Sequence, residues 1–166
     1  GLDTDEAAQI TTHLGLSDQS EIYGLLVIQT AREVLNFEAS VIENNGHLIV
    51  NDIVNSPDFA IDIFQEMFKS KPDITCSHIG ELIQLDSTAM IGFINDFIAD
   101  SNTNTEDAAL LIGTVANINP SDAVAILAGM DASDAAPILA DMDASDAVAI
   151  LADMDASSEI YGLIVI

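Results

Sequence analysis

Oxygen-bearing side chains recur at alternate positions in the segment DMDASD, residues 141–146, and related segments lie twelve residues to either side of it. Calcium-binding loops begin with this spacing of carboxylates, but they also need a glycine at the sixth position and a glutamate at the twelfth. This chain has Asp146 and Ala152 at those two positions. The spacing therefore does not predict a dedicated calcium loop.

Weaker binding of cations is a second chemistry open to the same aspartates. Stacking of successive turns in a helical array would bring Asp131, Asp143 and Asp155 into a row, and the prediction extends to Asp141 and Asp153. Carboxylate oxygens are the ligands that Ca²⁺ and Mg²⁺ prefer. The favoured interpretation is a solvated acidic ridge that also caps helices, with no cofactor; weak binding of Ca²⁺ or Mg²⁺ along the row is the alternative.

The sequence gives little indication of a nucleophilic catalytic site or of a zinc-binding site. Cys76 and His78 are the closest pair, but side chains two residues apart on a helix do not face each other, and no third residue is evident to orient them. His13 and His47 stand alone, which leaves too few ligands for zinc. Phosphate-binding glycine loops and the GxSxG and HExxH motifs are absent. The sequence therefore predicts that the chain is not an enzyme.

A nine-residue segment occurs near both ends of the chain. SEIYGLLVI spans residues 20–28 and SEIYGLIVI spans residues 158–166, an offset of 138 with one conservative difference. Either the two ends can substitute for each other between molecules, or they mark one period of a longer repeat. Both interpretations imply head-to-tail continuation of the chain. The residues expected to take part in self-association are Ile22, Tyr23, Leu25, Ile160, Tyr161 and Leu163.

Three near-identical twelve-residue units position the acidic side chains. They run from Ser121 to Met154 and read SDAVAILAGMDA, SDAAPILADMDA and SDAVAILADM. One unit holds about one short helix and a turn, so it cannot bury its own apolar face, and neighbouring units must stack as in a solenoid. The apolar face of the first unit, at helical spacing, consists of Ala123, Ile126, Leu127 and Met130.

Serine is the natural helix cap in these units, which places the helix starts at Ser121, Ser133 and Ser145. Pro137 favours a start at Ser133 or Asp134, because a helix beginning at Asp131 would place the proline in its interior.

The region before the repeats predicts longer and less regular helices. A first helix begins near Ser20 and ends at Asn44-Asn45-Gly46, since these residues tolerate the left-handed conformation that ends helices. A short helix follows at residues 47–54, and Ser56-Pro57-Asp58 begins a helix that ends at Lys69-Ser70-Lys71-Pro72. Further helices begin at Ser77 and at Asp86-Ser87, and another follows the polar break at residues 102–105. The predicted aromatic core of this region is Phe59, Phe64, Phe68, Phe93 and Phe97.

The charge of the chain narrows the choice of partners. The net charge is -25, with 28 acidic residues against Arg32, Lys69 and Lys71. Such a surface repels nucleic acid and anionic membranes. The longest strongly apolar run, Ile22–Ile28, is far shorter than the roughly 20 residues that span a bilayer. A single cysteine excludes an internal disulfide, and the acidity suits a medium rich in salt or divalent cations. We expect an extracellular or cell-surface location, with the cytoplasm as the alternative.

The repeat pattern S/P-x-D-A-A/V-x-I-L-x-x-M-D is similar to the short helical repeats in the intracellular N domain of MgtE-type magnesium transporters. The resemblance covers about residues 105–157, with a weaker echo at residues 4–15. In that family, acidic superhelical repeats take part in sensing Mg²⁺. The resemblance thus implies a superhelical fold and a response to divalent cations. The near identity of the repeats in this chain departs from that family.

Together these patterns predict an all-α protein, a superhelical solenoid of short helices with a less regular helical middle. We expect one repeat array over residues 1–166: a degenerate repeat at 1–19, irregular longer helices at 20–104, regular repeats at 105–157, and the start of the next long repeat at 158–166. The predicted function is structural, as a self-associating segment of a larger or head-to-tail polymeric assembly whose partner is the chain itself. The alternative is a divalent-cation-responsive regulatory domain.

Overall fold

A computed structural model describes residues 21–153, without the side chains of Glu21, Ile22 and Ala39. Every regular element in this range is an α-helix, which confirms the all-α prediction. The helices are α1 (Glu21–Leu35), α2 (Ala39–Asn55), α3 (Pro57–Ser70), α4 (Pro72–Leu85), α5 (Ser87–Ala99), α6 (Thr105–Ile118), α7 (Pro120–Ala128), α8 (Ala132–Asp141) and α9 (Ala144–Asp153). The chain forms two compact units that divide between Asp96 and Phe97, with described parts at residues 21–96 and 97–153. The predicted repeats at residues 1–19 and 158–166 lie outside the described residues.

In the first unit, α3 is the central helix and packs against α1, α2 and α4. It begins at Pro57 and ends at Ser70, as the flanking residues predict. Proline fits the first helical position because its missing N–H would have no partner there. A helix enclosed by three others needs apolar side chains around most of its circumference. The buried apolar residues of α3 are Phe59, Ala60, Ile61, Ile63, Phe64, Met67 and Phe68.

Helix α2 continues through the predicted stop at Asn44-Asn45-Gly46, so that prediction is wrong. Asn44 and Asn45 donate side-chain hydrogen bonds to the carbonyls of Ser40 and Val41, at 2.6 and 3.1 Å, on the helix itself. Gly46 is buried where α2 packs against α4, and a Cβ at this position would collide with the side chain of Leu85. The glycine therefore allows close packing of two helices and does not end one. The predicted helix at residues 47–54 is the second half of α2.

Helix α4 begins at Pro72, five residues before the predicted start at Ser77. Pro72 occupies the first position, and Asp73 in the first turn complements the positive end of the helix dipole. The backbone N–H and the hydroxyl of Thr75 both donate to the carbonyl of Lys71, at 3.1 and 2.9 Å. Lys71 is thus the single residue between α3 and α4.

Helix α5 begins where Asp86-Ser87 predicts it, and the Asp86 carboxylate accepts a hydrogen bond of 3.0 Å from the N–H of Ala89. In the first unit, the rings of Phe64 and Phe93 lie 5.2 Å apart. All five phenylalanines of the predicted aromatic core are buried: Phe59, Phe64, Phe68 and Phe93 in the first unit, and Phe97 in the second.

In the second unit, α6 is the central helix and packs against α7, α8 and α9, while α7 also packs against α9. Leu111, Ile112 and Val115 of α6 have no exposed surface. On the first repeat, Ala123, Ile126 and Leu127 are buried as predicted, and Met130 is half-buried. The short repeat helices therefore share one central partner, which supplies the apolar surface that none of them could bury alone.

The repeat helices begin earlier than the serines predict, so Ser121, Ser133 and Ser145 are not the caps. Helix α7 begins at Pro120, and its cap is Asn119, whose side chain accepts a 3.3 Å hydrogen bond from the N–H of Ser121. Helix α8 follows its cap Asp131, whose backbone carbonyl accepts from the N–H groups of Asp134 and Ala135 at 2.9 and 3.0 Å.

Pro137 consequently lies inside α8, contrary to the prediction. A proline there leaves the carbonyl of Ser133 without its helical partner. Both residues are exposed, so water can hydrogen-bond to that carbonyl.

Among residues 21–153, no helix is long and apolar enough to cross a membrane.

Candidate functional site

Residues 21–28, eight of the nine residues of the segment that recurs at residues 158–166, form the first two turns of α1, and α1 packs against α3. The Tyr23 hydroxyl donates a hydrogen bond to the Asp62 carboxylate, 39 residues away in the sequence. The edge of the Tyr23 ring faces Phe59, with ring centroids 5.7 Å apart and an interplanar angle of 66°. Edge-to-face contact and a charge-assisted hydrogen bond are both directional interactions. Tyr23 therefore fixes the register of α1 on α3.

The predicted self-association residues of α1 differ in their surroundings. Tyr23 is half-buried against α3, whereas the Leu25 side chain is 66% exposed. Val27 is buried and begins a stripe that continues four and eight residues later with Ala31 and Leu35. Tyr23 thus contacts α3 and Val27 is buried, whereas Leu25 remains available to solvent. The side chain of Ile22 and the residues Ile160, Tyr161 and Leu163 lie outside what the structure describes.

An apolar cleft lies beside this contact, between α1, α2 and α3. Its volume is about 540 Å³, including the space open to solvent, and its walls include Val34, Ile53, Phe59 and Ile63. Phe59 lines the cleft and also contacts Tyr23. The surface beside the docked segment is therefore largely apolar.

The acidic residues of the repeats form hydrogen bonds with neutral side chains of the second unit. Asp141 accepts from the Thr105 hydroxyl at 2.7 Å, and Asp153 accepts from the Ser121 hydroxyl at 2.5 Å. These contacts span 36 and 32 residues in the sequence. Two of the five predicted metal ligands thus connect the repeat helices to α6 and α7.

A third carboxylate, Asp146, lies against the backbone of α6. It accepts a 3.1 Å hydrogen bond from the Asn117 side chain, which also donates to the carbonyl of Gly113 at 3.0 Å. A Cβ on Gly113 would collide with the Asp146 carboxylate, so the glycine makes room for it. The sequence signal for this contact is a glycine within an otherwise regular helix, and its partner could not be identified without the fold.

The remaining predicted metal ligands are placed at helix starts or are not described. Asp131 caps α8, and the backbone carbonyl of Asp143 accepts from the N–H groups of Asp146 and Ala147 at the start of α9. Asp155 lies outside the described residues. Within residues 21–153, no group of three or more histidine, cysteine or acidic side chains is arranged to hold a metal ion. The predicted row of aspartates remains a prediction.

His78 is a buried polar residue whose surroundings the sequence did not reveal. It lies on α4 with 6% of its surface exposed, and neither ring nitrogen has a hydrogen-bond partner in the described part of the chain. Burial lowers the pKa of His78 from its ordinary value near 6.5, and the charge of the nearby Glu81 carboxylate opposes this shift only in part. Burial therefore favours the neutral form of the imidazole. Cys76, two residues earlier, is half-buried.

Comparison with known proteins adds no family to these observations. No protein-family model matches the sequence, and neither a curated protein nor a solved structure matches it.

Proposed function

We propose that this chain is a structural, self-associating segment of a larger or head-to-tail polymeric assembly, and that its partner is another copy of the same chain. The observation that carries this proposal is the recurrence of the nine-residue segment 20–28 at residues 158–166. In the first copy, α1 packs against α3, and Tyr23 of the segment donates to Asp62, 39 positions further along the chain. A segment with the same side chains is suited to the same kind of contact.

The packing order of the helices supports the superhelical part of the proposal. Within the first unit α1 packs on α3 and α2 on α4, and within the second unit α6 packs on α8 and α7 on α9. In these four pairs a helix contacts its next-but-one neighbour, as helices do when they wind into a solenoid. Val148 on α9 is 64% exposed, whereas Val124 at the equivalent position of α7 is half-buried. Helices added beyond α9 in the same order would cover Val148.

The assembly role needs no catalytic group, nucleic acid or membrane span, and it suits an extracellular or cell-surface location. At this net charge, copies of the chain repel one another at low ionic strength. Added salt shortens the Debye length and screens this repulsion. Association should therefore strengthen as the salt concentration rises.

Sedimentation velocity over a wide range of protein concentration tests the proposal. The intact chain should form oligomers that grow with concentration, and deletion of residues 157–166 should abolish this growth. The matched control carries the same ten residues in scrambled order, which preserves length, composition and charge. Growth that survives both changes would contradict the proposal, as would an intact chain that stays monomeric at every salt concentration.

A second function, a response to divalent cations, is favoured by the charge of the second unit. Residues 97–153 contain ten acidic residues and no lysine, arginine or histidine. Cations collecting near these carboxylates would relieve repulsion and compact the array, in line with the resemblance to the MgtE-type N domain. A titration with Mg²⁺ and Ca²⁺ should then give a saturable decrease in hydrodynamic radius of the monomer. NaCl at matched ionic strength is the control, and equal compaction by both salts would exclude a specific response.

A further inference from the structure

The contact between α1 and α3 shows which parts of the repeated nine-residue segment are needed for docking. Tyr23 supplies the hydroxyl for Asp62 and the ring edge for Phe59, and Val27 is buried. At the offset of 138, Tyr161 corresponds to Tyr23 and Val165 to Val27. The tyrosine that contacts α3 and the buried valine are thus both identical in the second copy of the segment.

The one position that differs between the copies is compatible with the same contact. Leu26 of α1 corresponds to Ile164, and Leu26 is only half-buried. An exchange of leucine for isoleucine conserves volume and costs little even in a packed core. The outward-facing position is also preserved, because Leu163 corresponds to the exposed Leu25.

We infer that α3 is a receptor for two alternative ligands: the first two turns of its own α1, and residues 158–166 of a second copy of the chain. In the second case the Tyr161 hydroxyl donates to Asp62 of the neighbouring copy, and the Tyr161 ring packs edge-on against Phe59. This inference rests on the proposed self-association and names its receptor surface.

Association by exchange of equivalent segments requires little net interaction energy. The incoming segment makes the contacts that the outgoing one gives up, so the interaction energies nearly cancel, as in domain swapping. The second half of α1 contains Ala31 and Leu35, both buried, and it can hold α1 on the unit while the first two turns are displaced. The bond to Asp62 also suits two highly acidic copies, because a neutral tyrosine brings no further negative charge to the carboxylate.

A matched pair of substitutions tests the inference in the full chain. Tyr161→Phe removes the hydroxyl of the incoming ligand, and self-association should weaken by about tenfold, equivalent to about 1.4 kcal/mol. Tyr23→Phe removes the same hydroxyl from the resident ligand, and self-association should strengthen. Both variants keep the aromatic ring, and tyrosine and phenylalanine have similar helix propensities, so both should fold. Changes of the same sign in the two variants would overturn the inference, since a nonspecific role for tyrosine would move both in one direction.

Removal of the acceptor gives an independent check on the receptor. In an Asp62→Ala background, Tyr161→Phe should have no further effect, because the two groups would no longer be coupled. A tenfold effect of Tyr161→Phe that persists without Asp62 would place the contact elsewhere.

Photo-cross-linking identifies the occupant directly. A benzoylphenylalanine at position 161, in a mixture of ¹⁴N- and ¹⁵N-labelled chains, should cross-link to peptides from Pro57–Ser70 of the other isotope. The same side chain at position 163 is the control and should not reach α3. Cross-links to α3 within one chain only would overturn the exchange between copies. Oligomers whose cross-links map away from α3 would overturn the receptor but leave self-association standing, whereas an intact chain that forms no oligomers would remove both.

Discussion

The two units, residues 21–96 and residues 97–153, build their hydrophobic cores from different residue types. In the first unit, helices of 14 to 17 residues pack around α3, whose buried residues include three phenylalanines. In the second unit, three helices of nine or ten residues depend on α6, and their buried residues are alanine, isoleucine and leucine. Short helices are marginal by themselves, so the second unit depends on shared packing and the first has more surface for each helix to use.

The charges are distributed as unevenly as the aromatic residues. All three basic residues, Arg32, Lys69 and Lys71, belong to the first unit, where Lys69 lies 3.5 Å from Glu66. The carboxylates of the second unit bond instead to neutral hydroxyl and amide groups. Residues 97–153 contain no lysine, arginine or histidine, so no basic side chain within this unit offsets the repulsion between its carboxylates.

Both units use a glycine for the close approach of a neighbouring side chain. Gly46 on α2 admits the apolar Leu85, and Gly113 on α6 admits the carboxylate of Asp146. The absence of a Cβ thus allows apolar packing in one unit and a polar contact in the other.

The largest expected effect tests whether α6 holds the second unit together. Leu111→Ala removes a fully buried side chain and should cost about 2–5 kcal/mol in the free energy of unfolding. Hydrogen exchange should show lost protection in α7, α8 and α9 together, because all three pack on α6. Leu110→Ala is the matched control, since that neighbouring side chain is 38% exposed and its loss should have a much smaller effect. Equal costs at the two positions would contradict the central role of α6.

Replacing a proline by alanine should change the stability of the two units differently. Pro137→Ala restores a helical hydrogen bond inside α8 and should stabilise the second unit by up to about 3 kcal/mol. Pro57→Ala changes the first position of α3, where the N–H has no helical partner, and should shift stability by less than about 0.5 kcal/mol. Chemical denaturation followed by circular dichroism measures both. A Pro137→Ala variant no more stable than the parent would mean that α8 gains nothing from that bond.

The smallest expected effect is a pH dependence confined to the first unit. Since burial lowers the pKa of His78, the unfolded chain binds the proton more readily, and stability should fall as the pH drops below about 6.5. The loss cannot exceed about 1.4 kcal/mol for each pH unit. His78→Leu should remove this loss, and it should leave stability at neutral pH unchanged or higher because no buried ring nitrogen remains unpaired.

The control for the change of residue type is His47→Leu, at an exposed position. Hydrogen exchange at pH 7 and pH 5 should place the difference between the parent and His78→Leu in residues 21–96. A difference of the same size in residues 97–153, which contain no histidine, would contradict the assignment.

Local patterns in the sequence were sufficient for the helical class and for much of the core. Ser56-Pro57-Asp58 and Asp86-Ser87 predicted helix starts because capping and the fixed φ of proline act within a few residues. Helical spacing predicted the buried face of the first repeat, including Ala123, Ile126 and Leu127. The repeated nine-residue segment, which carries the proposed function, is likewise a property of the sequence alone.

Only the tertiary structure decided how these elements are used. Asn44-Asn45-Gly46 continues a helix because packing against Leu85 outweighs a local preference of about 1 kcal/mol per residue. The pairing of Tyr23 with Asp62, and the central positions of α3 and α6, join residues or helices far apart in the chain. Propensity and periodicity report on neighbours in sequence, whereas these contacts depend on which surfaces meet after the helices have packed.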